Sequence, residues 1–235
     1  MRLLLPLLAA CTTDPIALEP SPHGCEPAPL GVDGTEEYSY DLSWHPSGAL
    51  FATGAVETLR LFVPTAEGPV RIDTDTGPGR FNTVVFAPDG RLLTATGREL
   101  RVYDVDADRL HLVQTLGDHD ADLQRLAVSA DGSRVLSCDV DGTVSLYALG
   151  DSITRLDSLS EHDRCTRVAF SPDGTKASSV GHDGLLPLYD LSADRIEIVD
   201  HLIFDVAELG EVRFVSNDVL YAGAFSSPYT LWQIS

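Results

Sequence analysis

The sequence predicts an all-β protein assembled from one small antiparallel unit used several times over, and three observations predict it. The first is the meander in residues 167–192, RVAFSPDGTKASSVGHDGLLPLYDLS. Val168 to Phe170 reads as a short apolar strand stopped by Ser171-Pro172-Asp173-Gly174. Lys176 to Val180 reads as a second strand, and Leu185 to Leu191 as a third after the His182-Asp183-Gly184 reversal. Apolar runs bounded by Pro-Asp-Gly and Asp-Gly clusters are strong local signals for hairpins. The second observation is recurrence. WHPSG (44–48), FAPDG (86–90), VSADG (128–132), FSPDG (170–174) and FVSND (214–218) place Trp44, Phe86, Val128, Phe170 and Phe214 at intervals of 42, 42, 42 and 44 residues. The third is an aromatic that follows each anchor by 17 to 19 residues: Phe62, Tyr103, Tyr147, Tyr189 and Trp232.

One such meander cannot bury its own faces, so successive copies must stack. A period of about 40–45 residues with four strands per unit defines the propeller class. The count therefore predicts a five-bladed β-propeller of four-stranded antiparallel blades. At these residues the chain resembles the WD40-repeat family, over residues 28–235. The Trp-Asp dipeptide of that family stands as Tyr-Asp at 103–104 and 189–190, Tyr-Ala at 147–148 and Trp-Gln at 232–233. The fold hosts many functions and names none.

Taken in order, Leu30-Gly31-Val32 lies 12 residues before Trp44 and is expected as an outermost strand. The chain ends in three strands, near 212–215, 219–223 and 229–234. One strand from the start and three from the end would complete the last blade, the closure seen in WD40-like propellers, which removes open edges. The first full blade is expected over 40–43, 50–54, 58–63 and 70–73. The second falls over 83–86, 92–95, 99–104 and 111–116, and the third over 124–128, 135–138, 143–148 and 154–159. The fourth ends in a strand over 196–203. Blade cores are expected from Leu42, Val84, Leu126, Val168 and Val212, and ring-to-ring contacts between neighbouring blades from the five aromatics. No window sustains a 3.6-residue period, so no long helix is expected.

The chain opens MRLLLPLLAAC, with one positive charge, a leucine-rich core and small residues before Cys11. These are the parts of a secretory signal, although the six-residue core from Leu3 to Leu8 is shorter than the usual 7–15 residues. Either the true start lies upstream or the leader is minimal. Leu8-Ala9-Ala10-Cys11 resembles the bacterial lipobox, which implies cleavage after residue 10 and lipid attachment at Cys11. At about 0.8 kcal/mol per buried methylene, three acyl chains would anchor the protein firmly. Thr12 after the cysteine implies transfer to the outer membrane in the enterobacterial sorting pattern. Residues 11–27 belong to a spacer with prolines at 15, 20, 22 and 27, whose density favours extended chain. The expected organisation is thus signal 1–10, spacer 11–27 and propeller 28–235, in the bacterial cell envelope.

Thirty-six Asp and Glu against 16 Lys and Arg give a net charge of −20 and a pI near 4.4. Nucleic acid is excluded as a partner, because phosphate backbones need a basic footprint. Adaptation to a salty habitat or solubility alone accounts for the charge, which also suits a basic protein partner.

By the WD40 resemblance, His119, Ser137, Asp141 and Tyr147 in the third unit, and His162, Ser179, Asp183 and Tyr189 in the fourth, fall on a structural hydrogen-bonded tetrad. Tyr replaces Trp in both, exchanging an indole N–H for a phenolic O–H. The sharper alternative is a metal- or acid-dependent hydrolase, with His119, Asp141, His162 and Asp183 as metal candidates crowding one face. No Ser-His-Asp spacing, His-Glu-x-x-His helix, phosphate loop or Cys-x-x-Cys pair is present, so no cofactor is expected. Cys138 and Cys165 lie toward the same rim and either bridge or remain buried thiols, with Cys25 unpaired in the spacer. The leading expectation is a monomeric, lipid-anchored, non-enzymatic scaffold with protein partners. The hydrolase and a purely structural envelope component are its rivals.

Overall fold

The computed structural model describes residues 38–117, 119–204, 209–224 and 230–233. The leader, the spacer with Cys11 and Cys25, the strand expected at Leu30-Gly31-Val32 and the Trp232 ring lie outside the described residues.

The described residues form nineteen strands and no helix, in five antiparallel sheets. The first holds β1 (Asp41–Trp44), β2 (Phe51–Gly54), β3 (Thr58–Thr65) and β4 (Gly68–Thr76). The second holds β5 (Phe81–Phe86), β6 (Leu92–Thr96), β7 (Glu99–Val105) and β8 (Leu110–Leu116). The third holds β9 (Leu123–Val128), β10 (Arg134–Asp139), β11 (Thr143–Leu149) and β12 (Ile153–Ser160). The fourth holds β13 (Cys165–Phe170), β14 (Lys176–Gly181), β15 (Leu185–Asp190) and β16 (Glu197–Ile203). The fifth holds β17 (Leu209–Ser216), β18 (Val219–Ala224) and β19 (Thr230–Gln233), three strands among the described residues. Within every sheet the strands lie in sequence order. The first strands of all five sheets line one cavity of about 600 Å³. This arrangement is consistent with a β-propeller.

Local chemistry accounts for the repeated hairpin. Gly48, Gly90, Gly132 and Gly174 stand at φ between 70° and 94°, a region where only glycine sits without strain. The aspartate before the glycine ties the turn. Asp131 accepts from the Ser129 hydroxyl at 2.6 Å and from the backbone and hydroxyl of Ser133, and these bonds hold its carboxyl down at about 2. Asp173 repeats the pattern with Ser171 and Thr175. One hairpin exceeds expectation: β4 begins at Gly68 because Thr65 pairs with Gly68 across a two-residue loop. Pro64 and Pro69 are tolerated there because they pair beyond the end of β2, where no further ladder needs their missing N–H.

Four apolar cores lie between consecutive sheets. The first joins Leu59 and Leu61 to Val84 and Tyr103, and the second joins Leu93 and Val102 to Leu126 and Tyr147. The third joins Leu136 and Leu146 to Val168 and Tyr189, and the fourth joins Val180 and Leu186 to Val212 and Leu220. Val84, Leu126, Val168 and Val212 are therefore core residues, each facing the preceding sheet. Leu42 is not: it is 50% exposed. Its preceding sheet would be the fifth, and no apolar cluster among the described residues joins the fifth sheet to the first. The aromatics also differ from expectation. Phe62, Tyr103, Tyr147 and Tyr189 are fully buried, but no ring pair among the described residues joins them across sheets. The three tyrosines pack against aliphatic side chains of the sheet before them, which leaves each hydroxyl to find a polar partner.

Candidate functional site

Buried tyrosine hydroxyls organise the polar groups between the sheets. In the fourth sheet Ala177 pairs with Tyr189, which places Ser179, two residues along β14, on the same face. The Tyr189 hydroxyl lies 2.6 Å from Ser179 Oγ, which lies 2.7 Å from His162 Nε2. His162 Nδ1 lies 2.9 Å from Asp183 Oδ2. Burial lowers the His162 pKa despite the Asp183 charge beside it, so the ring is neutral. The protons then run one way. Tyr189 O–H donates to Ser179, Ser179 O–H donates to His162 Nε2, and Nδ1–H donates to Asp183. Asp183 also accepts from the backbone N–H of Asp163 and of Leu185, so the loop before β13 is tied to the turn after β14.

The third sheet uses the same residue types with the opposite polarity. Arg155 Nη2 lies 3.3 Å from His119 Nδ1. A guanidinium only donates, so Nδ1 accepts and the proton sits on Nε2. Nε2–H donates to the Tyr147 hydroxyl at 3.3 Å, and Tyr147 donates to Ser137 Oγ at 3.2 Å. Asp141, expected on the imidazole, is held elsewhere. It accepts from Thr143 Oγ1 at 2.9 Å and shares a hydrogen bond with Asp139. Burial first, then the neighbouring Asp141, pushes the Asp139 carboxyl up to about 7, and the shared proton lowers Asp141. One carboxyl of this pair is therefore a donor near neutrality.

The second sheet holds a network that the sequence reading missed. Tyr103 O–H donates to Asp75 Oδ2 at 2.8 Å, and Arg101 donates to Thr76 O at 2.7 Å and to Glu99 at 2.8 Å. Asp75 precedes Tyr103 by 28 residues, the separation of His119 from Tyr147. Spacing is the signal the sequence offers, with an aspartate where the third unit has histidine. Register places Thr94 on β6 where Ser137 and Ser179 stand on β10 and β14, and Thr53 on β2 likewise. Both hydroxyls are buried with no hydrogen-bond partner among the described residues.

The family model for the WD domain, G-beta repeat, matches residues 110–147 and 153–190. These two segments are WD40 repeats. All eight tetrad-like positions named from sequence fall inside these two WD40 segments, and each segment closes on its buried tyrosine or the aspartate after it. In a sequence comparison, no curated protein matches the chain.

Around these WD40 repeats, no group of three or more His, Cys, Asp or Glu side chains among the described residues could hold a metal ion. His119, His162, Asp141 and Asp183 are engaged in the bonds above. Cys138 on β10 and Cys165 on β13 are buried neighbours in the core between the third and fourth sheets, and both are free thiols rather than a bridge. Burial pushes the Cys165 thiol up, as does its hydrogen bond to Cys138. No helix among the described residues is long and apolar enough to cross a membrane.

The shared cavity is layered. Asp41, Arg125, Arg167 and Glu211 contribute charge to its wall, and Val128, Phe170 and Phe214 contribute apolar surface. Arg125 lies 3.7 Å from Asp41, while Glu211 takes both Arg167 at 3.4 Å and Arg213 at 2.9 Å.

Proposed function

We propose that the chain is a non-enzymatic scaffold that binds other proteins, a five-bladed propeller tethered to a bacterial membrane through Cys11. The observation that carries the non-enzymatic part is the state of His162. Its side chain is fully buried and both ring nitrogens are bonded within the protein, so this imidazole is closed to a substrate. WD40 repeats generally mediate protein–protein contact, and loops on a rigid frame are where such contact is made. Beside the two histidines, Asp120, Asp122 and Asp163 are exposed, which favours a basic protein surface as partner. Ring closure by residues near Leu30 would give the fifth sheet its fourth strand and cover Leu42, the one inner-strand core position left half exposed.

Co-purification from envelope membranes tests the scaffold. A stoichiometric basic partner should be retained by the native chain and lost on combining Asp120→Lys, Asp122→Lys and Asp163→Lys. Retention by the reversed variant would remove the acidic rim from the proposal. Radiolabelled palmitate should be incorporated by the native chain and not by Cys11→Ser; absence from both would refute the anchor.

A further inference from the structure

Next to the shared cavity, and joined to it through Arg125 and Arg167, lies a smaller hollow of about 190 Å³. Its wall is made by Tyr40, Arg80, Asn82, Gln124, Arg125 and Arg167. Three arginines and two carboxamide residues thus line it, with no carboxylate residue in the wall among the described residues, in a chain whose net charge is −20. We infer that this hollow binds a phosphate-type dianion, either inorganic phosphate or a small phosphate monoester.

The wall is built, not incidental. Arg80 lies over the Tyr40 ring, 4.3 Å from its centre, and among the described residues no carboxylate pairs with it. Cation–π stacking of this kind fixes the plane of the guanidinium while leaving its N–H edge available. Arg125 is held from behind, with Nη1 donating to Asn82 O and to Thr83 Oγ1. Asp41 approaches it only to 3.7 Å. Arg167 shares Glu211 with Arg213, so its own charge is incompletely offset. Burial and the like charge of Arg167 both pull the Arg125 pKa down, and the nearby Asp41 and Glu211 carboxylates offset this only in part.

Charge and shape select the ligand. A monocarboxylate has two oxygens and one charge, whereas three guanidinium groups around a compact hollow present forked donors from several directions. A tetrahedral anion with at least three free oxygens and two charges satisfies all of them. The acidic exterior does not defeat this, because charges beyond about 10 Å are largely screened at ordinary ionic strength while partly buried pairs are not. Asn82 Nδ2 donates to Leu123 O at 2.7 Å, which leaves its second N–H as a neutral donor, and Gln124 supplies another carboxamide.

The test is calorimetric titration of the native chain with inorganic phosphate, glycerol phosphate and acetate in chloride buffer of low ionic strength. Saturable one-to-one binding of phosphate is expected, with acetate at least tenfold weaker. Arg80→Gln and Arg167→Gln should each weaken phosphate binding by about tenfold, the loss of one charged hydrogen bond, and the double variant should abolish it. Lys176→Gln, outside the hollow, should bind as the native chain does, and circular dichroism should show all variants folded. Binding of glycerol phosphate alongside phosphate would assign the site to monoesters, and binding of phosphate alone would assign it to the free ion. No saturable phosphate binding, equal binding of acetate, or full binding by the folded double variant would each overturn the inference.

Discussion

Ser179→Ala is the sharpest perturbation of the fourth sheet, because one hydroxyl serves two buried partners. Its oxygen lies 2.7 Å from His162 Nε2 and 2.6 Å from the Tyr189 hydroxyl. Removing it leaves an imidazole acceptor and a phenolic donor facing each other in a fully buried site. An unsatisfied buried group costs about 1–3 kcal/mol, so the two together predict about 2–6 kcal/mol. The lower end applies if the two close on each other directly, as His119 and Tyr147 do at 3.3 Å in the third sheet. Thr94→Val is the matched control at the equivalent place in the second sheet. There the hydroxyl is buried with no partner among the described residues, so replacing it with a methyl of the same shape should be neutral or stabilise by about 1 kcal/mol. Urea unfolding monitored by circular dichroism reads both. With a slope of about 2–3 kcal/mol/M, Ser179→Ala should lower the midpoint by about 1–2 M, and Thr94→Val should leave it or raise it. Equal loss in the two variants, or none in Ser179→Ala, would mean that these hydroxyls act through packing and that the bonds carry no weight.

Three further outcomes follow from particular contacts. Asp139, held up at about 7 in the folded state against 3.8 when unperturbed, binds its proton more tightly folded than unfolded, so its contribution is complete below pH 4 and is lost as pH rises through 7. Asp139→Asn keeps a donor toward Asp141 and should flatten the fall in stability between pH 4 and 8, visible in thermal midpoints across that range. Gly142→Ala should destabilise by about 2 kcal/mol or more, because Gly142 sits at φ 87° and an added Cβ would meet the His162 carbonyl oxygen at 1.6 Å; a chemical denaturation curve matching the native one would show that this turn can move away. Tyr103→Phe deletes the donor to Asp75 and should cost about 1–2 kcal/mol, whereas Asp75→Asn, which still accepts, should cost less in the same assay.

Much of this architecture can be read from residue order, because it depends on neighbours along the chain. Gly90, Gly132 and Gly174 recur at fixed intervals and mark the same left-handed turn each time. Apolar runs between such turns leave few alternatives to a hairpin. The strands of the middle sheets accordingly fall within one or two residues of their expected places, and Tyr103, Tyr147 and Tyr189 are buried as their spacing implies. Ser179 and Tyr189 share a face because register between adjacent strands follows from turn length.

What the chain order left open was decided where one sheet meets the next. Arg155 lies on an outer strand 36 residues from His119, and nothing local announces that it would take the ring nitrogen meant for Asp141. Asp75 does the work of a histidine because β4 delivers it beside Tyr103. Arg80, Arg125 and Arg167 share a hollow only because successive inner strands turn about a common cavity. The physical reason is the same throughout. Turn chemistry and strand alternation act over a few bonds, whereas the partner of a buried polar group is chosen by whichever donor or acceptor the packed sheets bring within 3 Å or so.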